Sequence, residues 1–257
     1  MISIPALAGG FTWLGSLLPE GFHLDHGQEV RLVHSILVVV LVLGAALVAR
    51  AALMRSSSGR EALVPDADLK PKNLFELYTE SMLNMVRGIL GRKDGDFYFP
   101  LIAGLFLYIF ISNLLGVLPG FAPPTDHLNT NLPMSITIFL VYNVAGIIRQ
   151  GPKAYIGHLM GPIIWLAPLM FCIEVISHFV RPLSLGIRLY GNMSGDHLVL
   201  DIFMNRLPEV VGAALGWGLP VIFLGLGIFV SLIQAFVFSL LSLLYIALAI
   251  ETHDDHH

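Results

Sequence analysis

Apolar residues gather into five long stretches of this chain: Leu32 to Ala49, Phe97 to Leu118, Leu132 to Ile148, Gly157 to Met204 and Val211 to Ile250. The first three have the length of one hydrocarbon-spanning helix, about 20 residues. The last would be about 60 Å long as a single helix, twice the ~30 Å hydrocarbon thickness. No acidic or basic residue marks a turn inside it, and only Pro220 and several glycines interrupt it. It therefore reads as one strongly tilted or broken helix. The stretch before it also resists division into tidy spans, and Pro162, Pro168 and Pro182 are placed to bend it.

A different periodicity lies between the first and second stretches. Leu74, Tyr78, Met82, Met85, Val86 and Ile89 form a helical stripe opposite Glu76, Glu80, Asn84 and Arg87. This predicts an amphipathic helix lying in the membrane interface, with Asn73 and Glu76 at capping-box spacing. The plainer alternative is a surface helix on a soluble domain, but no such domain is visible. The chain is thus expected to be an all-α integral membrane protein forming a single membrane domain over 1–257. Its parts are an external segment at 1–31, spans at 32–49, 97–119 and 132–148, the interfacial helix at 73–91, long helices at 157–206 and 210–250, and a tail at 251–257.

Lys and Arg give the orientation. Eight of them fall between Arg50 and Lys93, none falls between Gly120 and Asn131, and Arg149 and Lys153 follow the third span. The positive-inside rule then puts the N-terminus outside and, after five crossings, the C-terminus in the cytoplasm.

Composition agrees with a membrane protein. The chain is 56% hydrophobic and 12% charged, and its mean hydropathy is +0.78, far from the roughly 25% charged residues of soluble domains. Nothing in it points to nucleic acid as a partner. The single Cys172 excludes an intrachain disulfide framework. The first 19 residues lack the basic region of a cleaved signal peptide. No GxxxxGK loop is present, so nucleotide chemistry has no seat here. The tail His253-Asp-Asp-His-His257 reads as a solvated end rather than a metal site, and no cofactor is expected.

Against this background Arg188 stands out as a charge inside the run Pro182 to Met204. A charge at bilayer depth costs several kcal/mol and is kept only where something uses it. Arginine stays protonated, so it can steer or block protons without carrying one. At 100° per residue, Arg181, Ser184, Gly191, Asn192 and Gly195 fall within about 60° of it. Gly191 and Gly195 have the small-xxx-small spacing that admits a second helix, so this face suits a partner sliding past the guanidinium, or else a static interface with an internal salt bridge.

His197 projects about 180° from Arg188, with Asp201 four residues on and Ser194 one turn before. His and Asp in line are what a proton path needs, since burial and mutual interaction can bring them into the working pH range. Both lie toward the outside. Glu174 lies about 21 Å before Arg188, toward the cytoplasm, with His178 four residues after it. His178 reads equally well as a bundle histidine. The titratable groups thus form an outer and an inner set separated by a permanent cation. In the second span, Asn113 is a candidate for lining the outer path, while Asp126 and His127 could feed that path but read more simply as surface loop residues.

The run Pro182-Leu-Ser-Leu-Gly-Ile-Arg188-Leu-Tyr-Gly-Asn192-Met193, followed by Gln234-Ala-Phe-Val-Phe, resembles subunit a of the Fo sector of bacterial ATP synthases. Ser112-Asn113-Leu-Leu-Gly-Val-Leu-Pro119, Leu128-Asn129-Thr130 and Glu174 extend the resemblance from about Leu32 to Glu251. It implies a stationary subunit in the bacterial inner membrane, beside a rotating ring of c subunits and joined to the b-subunit peripheral stalk. Arg188 would be the essential arginine, with Asn192 and Gln234 as polar residues near it, Glu174 on the cytoplasmic half-channel and His197 on the outer one. The two over-long segments would be a tilted helical hairpin following the ring. At the position of the usual partner of His197 this chain has Gly227. We expect Asp201 to supply the missing acid, with Asp196 as the competitor. Two other readings are a secondary transporter whose Arg188 binds an anionic substrate, which the absence of internal repeats disfavours, and a membrane scaffold in a respiratory complex.

Overall fold

The structure is a computed structural model describing residues 26–56, 71–118, 121, 123–152, 154–155, 157, 165, 167–201 and 218–251. The expected external segment up to residue 25, Arg60 and Lys70 of the basic loop, Lys153, Pro162, the start of the last long helix and the tail from 252 lie outside the described residues. Among the described residues all regular structure is helical. The chain divides into two compact units, Met1–Pro124 and Thr125–His257.

The first unit holds α1 (His26–Ser56) and α2 (Pro71–Val117). On α1 the buried positions are His34 and Val38, one turn apart, while Leu32, Ile36, Val40, Leu43 and Leu47 are exposed. Its Ser35 hydroxyl shares a 2.7 Å hydrogen bond with the Tyr108 hydroxyl of α2. Gly91, at φ 76° and ψ 175°, breaks α2 into helices over 71–90 and 92–117. Only glycine reaches that backbone conformation without steric cost. The two helices fold back on one another: Tyr78 donates to the Ala103 carbonyl at 2.7 Å, its ring lies 5.6 Å from that of Phe106, and Arg87 pairs with Asp96 at 2.7 Å across the break.

A helix does cover the segment expected to be amphipathic, but it begins at Pro71 and so places Asn73 inside the first turn instead of at the cap. Proline suits that start, because its missing N–H is one the helix would leave unpaired there. Of the expected stripe, Met82 and Val86 are buried, whereas Leu74 is exposed. Tyr78 packs on 92–117.

The second unit holds α3 (Leu128–Gln150), α4 (Ala167–Asp201) and α5 (Gly218–Ile250). Contacts fix the registers. Helix α4 runs antiparallel to α3: Ser194 meets Asp126 just before α3, Gly186 meets Ser135, and His178 meets Tyr142. It is also antiparallel to α5, through Asn192 with Gln234 and Arg181 with Tyr245. Gln150 at the end of α3 donates to the Ala249 and Glu251 carbonyls, so α3 and α5 end together.

At 35 residues α4 is about 52 Å long, and at 33 residues α5 is about 50 Å. Four helical segments are long and apolar enough to cross a membrane, in Asn73–Val117, Leu128–Gln150, Pro168–Asp196 and Leu224–Ile250, and Leu32–Val48 is a shorter apolar helix.

Pro182 lies inside α4, which continues through it, and Pro168 occupies its first turn. A proline at 182 removes the N–H that would bond the His178 carbonyl. The Tyr142 hydroxyl of α3 donates to that carbonyl instead, at 3.4 Å.

Candidate functional site

On α4 the positions Pro182, Leu185, Gly186, Leu189 and Met193 are buried and face the rest of the unit. Spacing of three and four residues then sends the other face outward. Leu183, Ile187, Arg188, Gly191, Asn192 and Gly195 are all exposed. A Cβ built at Gly191 or Gly195 would meet nothing within 4 Å, whereas one at Gly186 would lie 3.0 Å from the Ser135 hydroxyl. Gly186 is thus small for packing within the chain. Gly191 and Gly195 are small on a surface that the described residues leave uncovered.

Among the described residues, no hydrogen bond or ion pair engages the Arg188 guanidinium. One turn along the same face, Asn192 Nδ2 donates to Gln234 Oε1 at 2.5 Å. Gln234 is buried in α5. The bond ties the two long helices together beside the arginine.

On the cytoplasmic side of the expected topology a second polar cluster forms. Glu174 is ion-paired with Arg181 at 3.2 Å, and the Arg181 guanidinium lies 5.9 Å from the centre of the Tyr245 ring. Arg181, which shares the projected face of Arg188, is thereby neutralised. His178 sits among Phe139, Tyr142 and Tyr155. Asn143 donates its Nδ2 to the Phe139 carbonyl at 2.6 Å, which fixes the direction of its amide. Its Oδ1 then accepts from the Tyr155 hydroxyl at 2.9 Å and from His178 Nε2 at 2.7 Å. An amide oxygen only accepts, so Nε2 carries the proton in this arrangement. Burial pushes the Tyr155 phenol above its ordinary value, and the Arg181 charge opposes this.

Toward the other end of α4, Ser194 donates to Asp126 Oδ1 at 2.8 Å. Asn131, fully buried, donates to the Thr125 carbonyl at 2.7 Å. Its Oδ1 accepts nothing among the described residues. The helical backbone includes His197 and Asp201, but their side chains lie outside the described residues. Asp196 is half-buried. Asn113 is buried in the first unit.

The family model of the ATP synthase A chain matches residues 32–247. The chain belongs to that family. It is similar to ATP synthase subunit a of Bdellovibrio bacteriovorus, at 42% identity over 95% of this chain and 99% of that protein. ATP synthase subunit a 2 of Syntrophotalea carbinolica is 42% identical over 93% and 95%, and subunit a of Geobacter sulfurreducens 41% identical over 91% and 93%. The family is the proton-translocating membrane subunit of Fo, and the function of this chain is proton translocation within ATP synthase.

Within that family's helical frame, the structure brings Asn192, one turn past Arg188 on α4, to Gln234. It ties Glu174 to Arg181 and His178 to Asn143. The sequence reading missed Asn143, Tyr155 and Asn131 as polar partners. A polar residue inside an apolar span was the available signal for Asn143.

Proposed function

We propose that this chain is the stator against which a ring of c subunits turns, with Arg188 as an electrostatic gate between two offset half-channels. One observation carries the reading: a guanidinium with no partner among the described residues, inside the spanning segment Pro168–Asp196, on an exposed face whose neighbours are Gly191, Asn192 and Gly195. Such a charge is tolerated at depth only with a counter-charge supplied from elsewhere. A ring carboxylate is that counter-charge. In lipid it must be neutral, since an unpaired carboxylate in hydrocarbon is too costly. Beside Arg188 its ionised form is favoured and its proton leaves by one half-channel. It is reprotonated from the other before returning to lipid.

In this reading Glu174 and His178 line the cytoplasmic half-channel. His197, Ser194 and Asp201 line the outer one, with Asp196 as competitor to Asp201 and Asn113 as a further candidate there. The helix 71–90 starts from the cytoplasmic side and packs back on the span 92–117, and α4 and α5 form a tilted hairpin against the ring. The N-terminus is outside, the C-terminus is cytoplasmic, and the membrane is the bacterial inner membrane. The b-subunit stalk holds the chain against rotation. Each proton gains about 2.3 kcal/mol per 100 mV, so several are summed for each ATP. The transporter reading is not favoured, because the family assignment accounts for the arginine motif.

The test is Arg188→Ala in the assembled enzyme. Coupled synthesis is expected to stop and passive proton leak to rise, with Arg188→Lys a poor substitute because lysine loses its proton when desolvated. Wild-type synthesis by Arg188→Ala would overturn the proposal.

A further inference from the structure

The outer half of α5, from Gly218 to Gln234, contains no ionisable residue. By the α4–α5 register this is the part of α5 that lies opposite α4 beyond Asn192. An outer path between these helices therefore takes no charge from α5. A histidine at 197 cannot serve alone at depth either, because loading it with a proton creates a second cation on the helix that carries Arg188, and like charges disfavour that form. A carboxylate avoids the difficulty, since it takes up a proton by becoming neutral.

The structure brings such a group to the path from the α3 side. Asp126, in the segment leading into α3, accepts the Ser194 hydroxyl at 2.8 Å through Oδ1. Ser194 is six residues past Arg188, about 9 Å along the helix, while the backbone of His197 is about 14 Å along. Asp126 thus stands in depth between the histidine and the arginine. Deeper still, Asn131 packs where α3 meets Gly186, two residues short of Arg188, with a fully buried Oδ1 that accepts from no described residue. A buried acceptor without a protein donor calls for a water. Asp126, Ser194 and Asn131 form a polar line along the α3–α4 seam that ends at the level of Arg188.

We infer that Asp126 is a proton-carrying carboxylate of the outer half-channel and the last acid before the ring. This rests on the half-channel reading above. Ser194 holds Oδ1, leaving Oδ2 to take a proton from the outer side. The neutral acid then gives that proton, directly or through water at Asn131, to an ionised ring carboxylate, and Asp126 returns to its charged form as the ring group becomes neutral. His127 beside it, and Tyr190 and Asp196 on α4, are the other described titratable groups at this end.

The experiment compares Asp126→Asn, Asp126→Glu and Arg188→Ala in the assembled ATP synthase reconstituted in vesicles. It reads synthesis driven by an imposed pH gradient and co-purification of the ring and the ATPase head. Asp126→Asn keeps an oxygen for Ser194 but cannot titrate. It is expected to assemble and to lose at least tenfold in synthesis, while Asp126→Glu keeps half or more. Wild-type rates in Asp126→Asn, with Arg188→Ala uncoupled, would overturn this inference alone. Coupled synthesis in Arg188→Ala would overturn the reading beneath it.

If Asp126→Asn does not assemble, Asp126→Cys in a Cys172→Ser background is treated with a carboxyethyl or an ethyl methanethiosulfonate. Recovery with the carboxyethyl reagent only supports the inference. Equal effects of the two reagents, or no recovery with either, overturn it.

Discussion

Tyr142→Phe isolates how α4 crosses its own proline. The substitution removes one hydroxyl and keeps a ring that is 2% exposed, 5.2 Å from His178. What is lost is the donor to the His178 carbonyl, whose backbone partner Pro182 cannot supply. A neutral hydrogen bond contributes about 0.5 to 1.5 kcal/mol net. At 3.4 Å this one is long, so the lower half of that range applies, about 0.5 to 1 kcal/mol. That corresponds to roughly a two- to fivefold shift in the unfolding equilibrium. In a Pro182→Ala background the new amide bonds the same carbonyl along the helix, and Tyr142→Phe should then cost no more than about 0.3 kcal/mol. The assay is an SDS titration of the detergent-solubilised complex, following release of this chain in the wild type, both single variants and the double variant. Equal losses from Tyr142→Phe in the two backgrounds would refute the account, because the hydroxyl and the proline would then be uncoupled.

Gly191→Leu should leave the chain inserted and its helices packed, since a Cβ at this position meets nothing within 4 Å among the described residues. ATP-driven proton pumping should nonetheless fall at least tenfold, and undiminished pumping would argue against a ring on that face. Asn192→Ala strands the buried Gln234 oxygen and is expected to cost about 1 to 3 kcal/mol. Asn192→Ala combined with Gln234→Leu should recover much of that stability in the same SDS titration, without recovering synthesis. Because burial raises the Tyr155 value, the contribution of its neutral phenol is intact below about pH 10, its ordinary value, and is lost as pH rises further. Hydrogen exchange of the α3 end should therefore accelerate above that pH in the wild type and lose this step in Tyr155→Phe.

The sequence carries the periodic features well and the long-range ones poorly. The projection around Arg188 predicts one outward face, and the structure exposes Arg188, Gly191, Asn192 and Gly195 together. That works because an amphipathic helix repeats locally. Arg181 falls on the same projected face, yet its pairing with Glu174 depends on side-chain reach across seven residues, which angles alone do not give. The reversal at Gly91 was hidden for another reason: a glycine with positive φ is indistinguishable in sequence from the chain's other glycines. Asp126 read as a surface residue because its contact with Ser194 is set by the α3–α4 register, 68 residues apart in the chain. Asn143 and Tyr155 reach His178 by the same kind of long-range placement.

Gln150 bears on how this chain carries load. By donating to the carbonyls of Ala249 and Glu251 it occupies acceptors that a helix end leaves open, so the last turn of α5 is clasped to the last turn of α3. A long helix pushed sideways by a moving neighbour would otherwise pivot at its unheld end. Here such a thrust would pass into a second helix through two short struts, and the pair would resist bending as a braced beam.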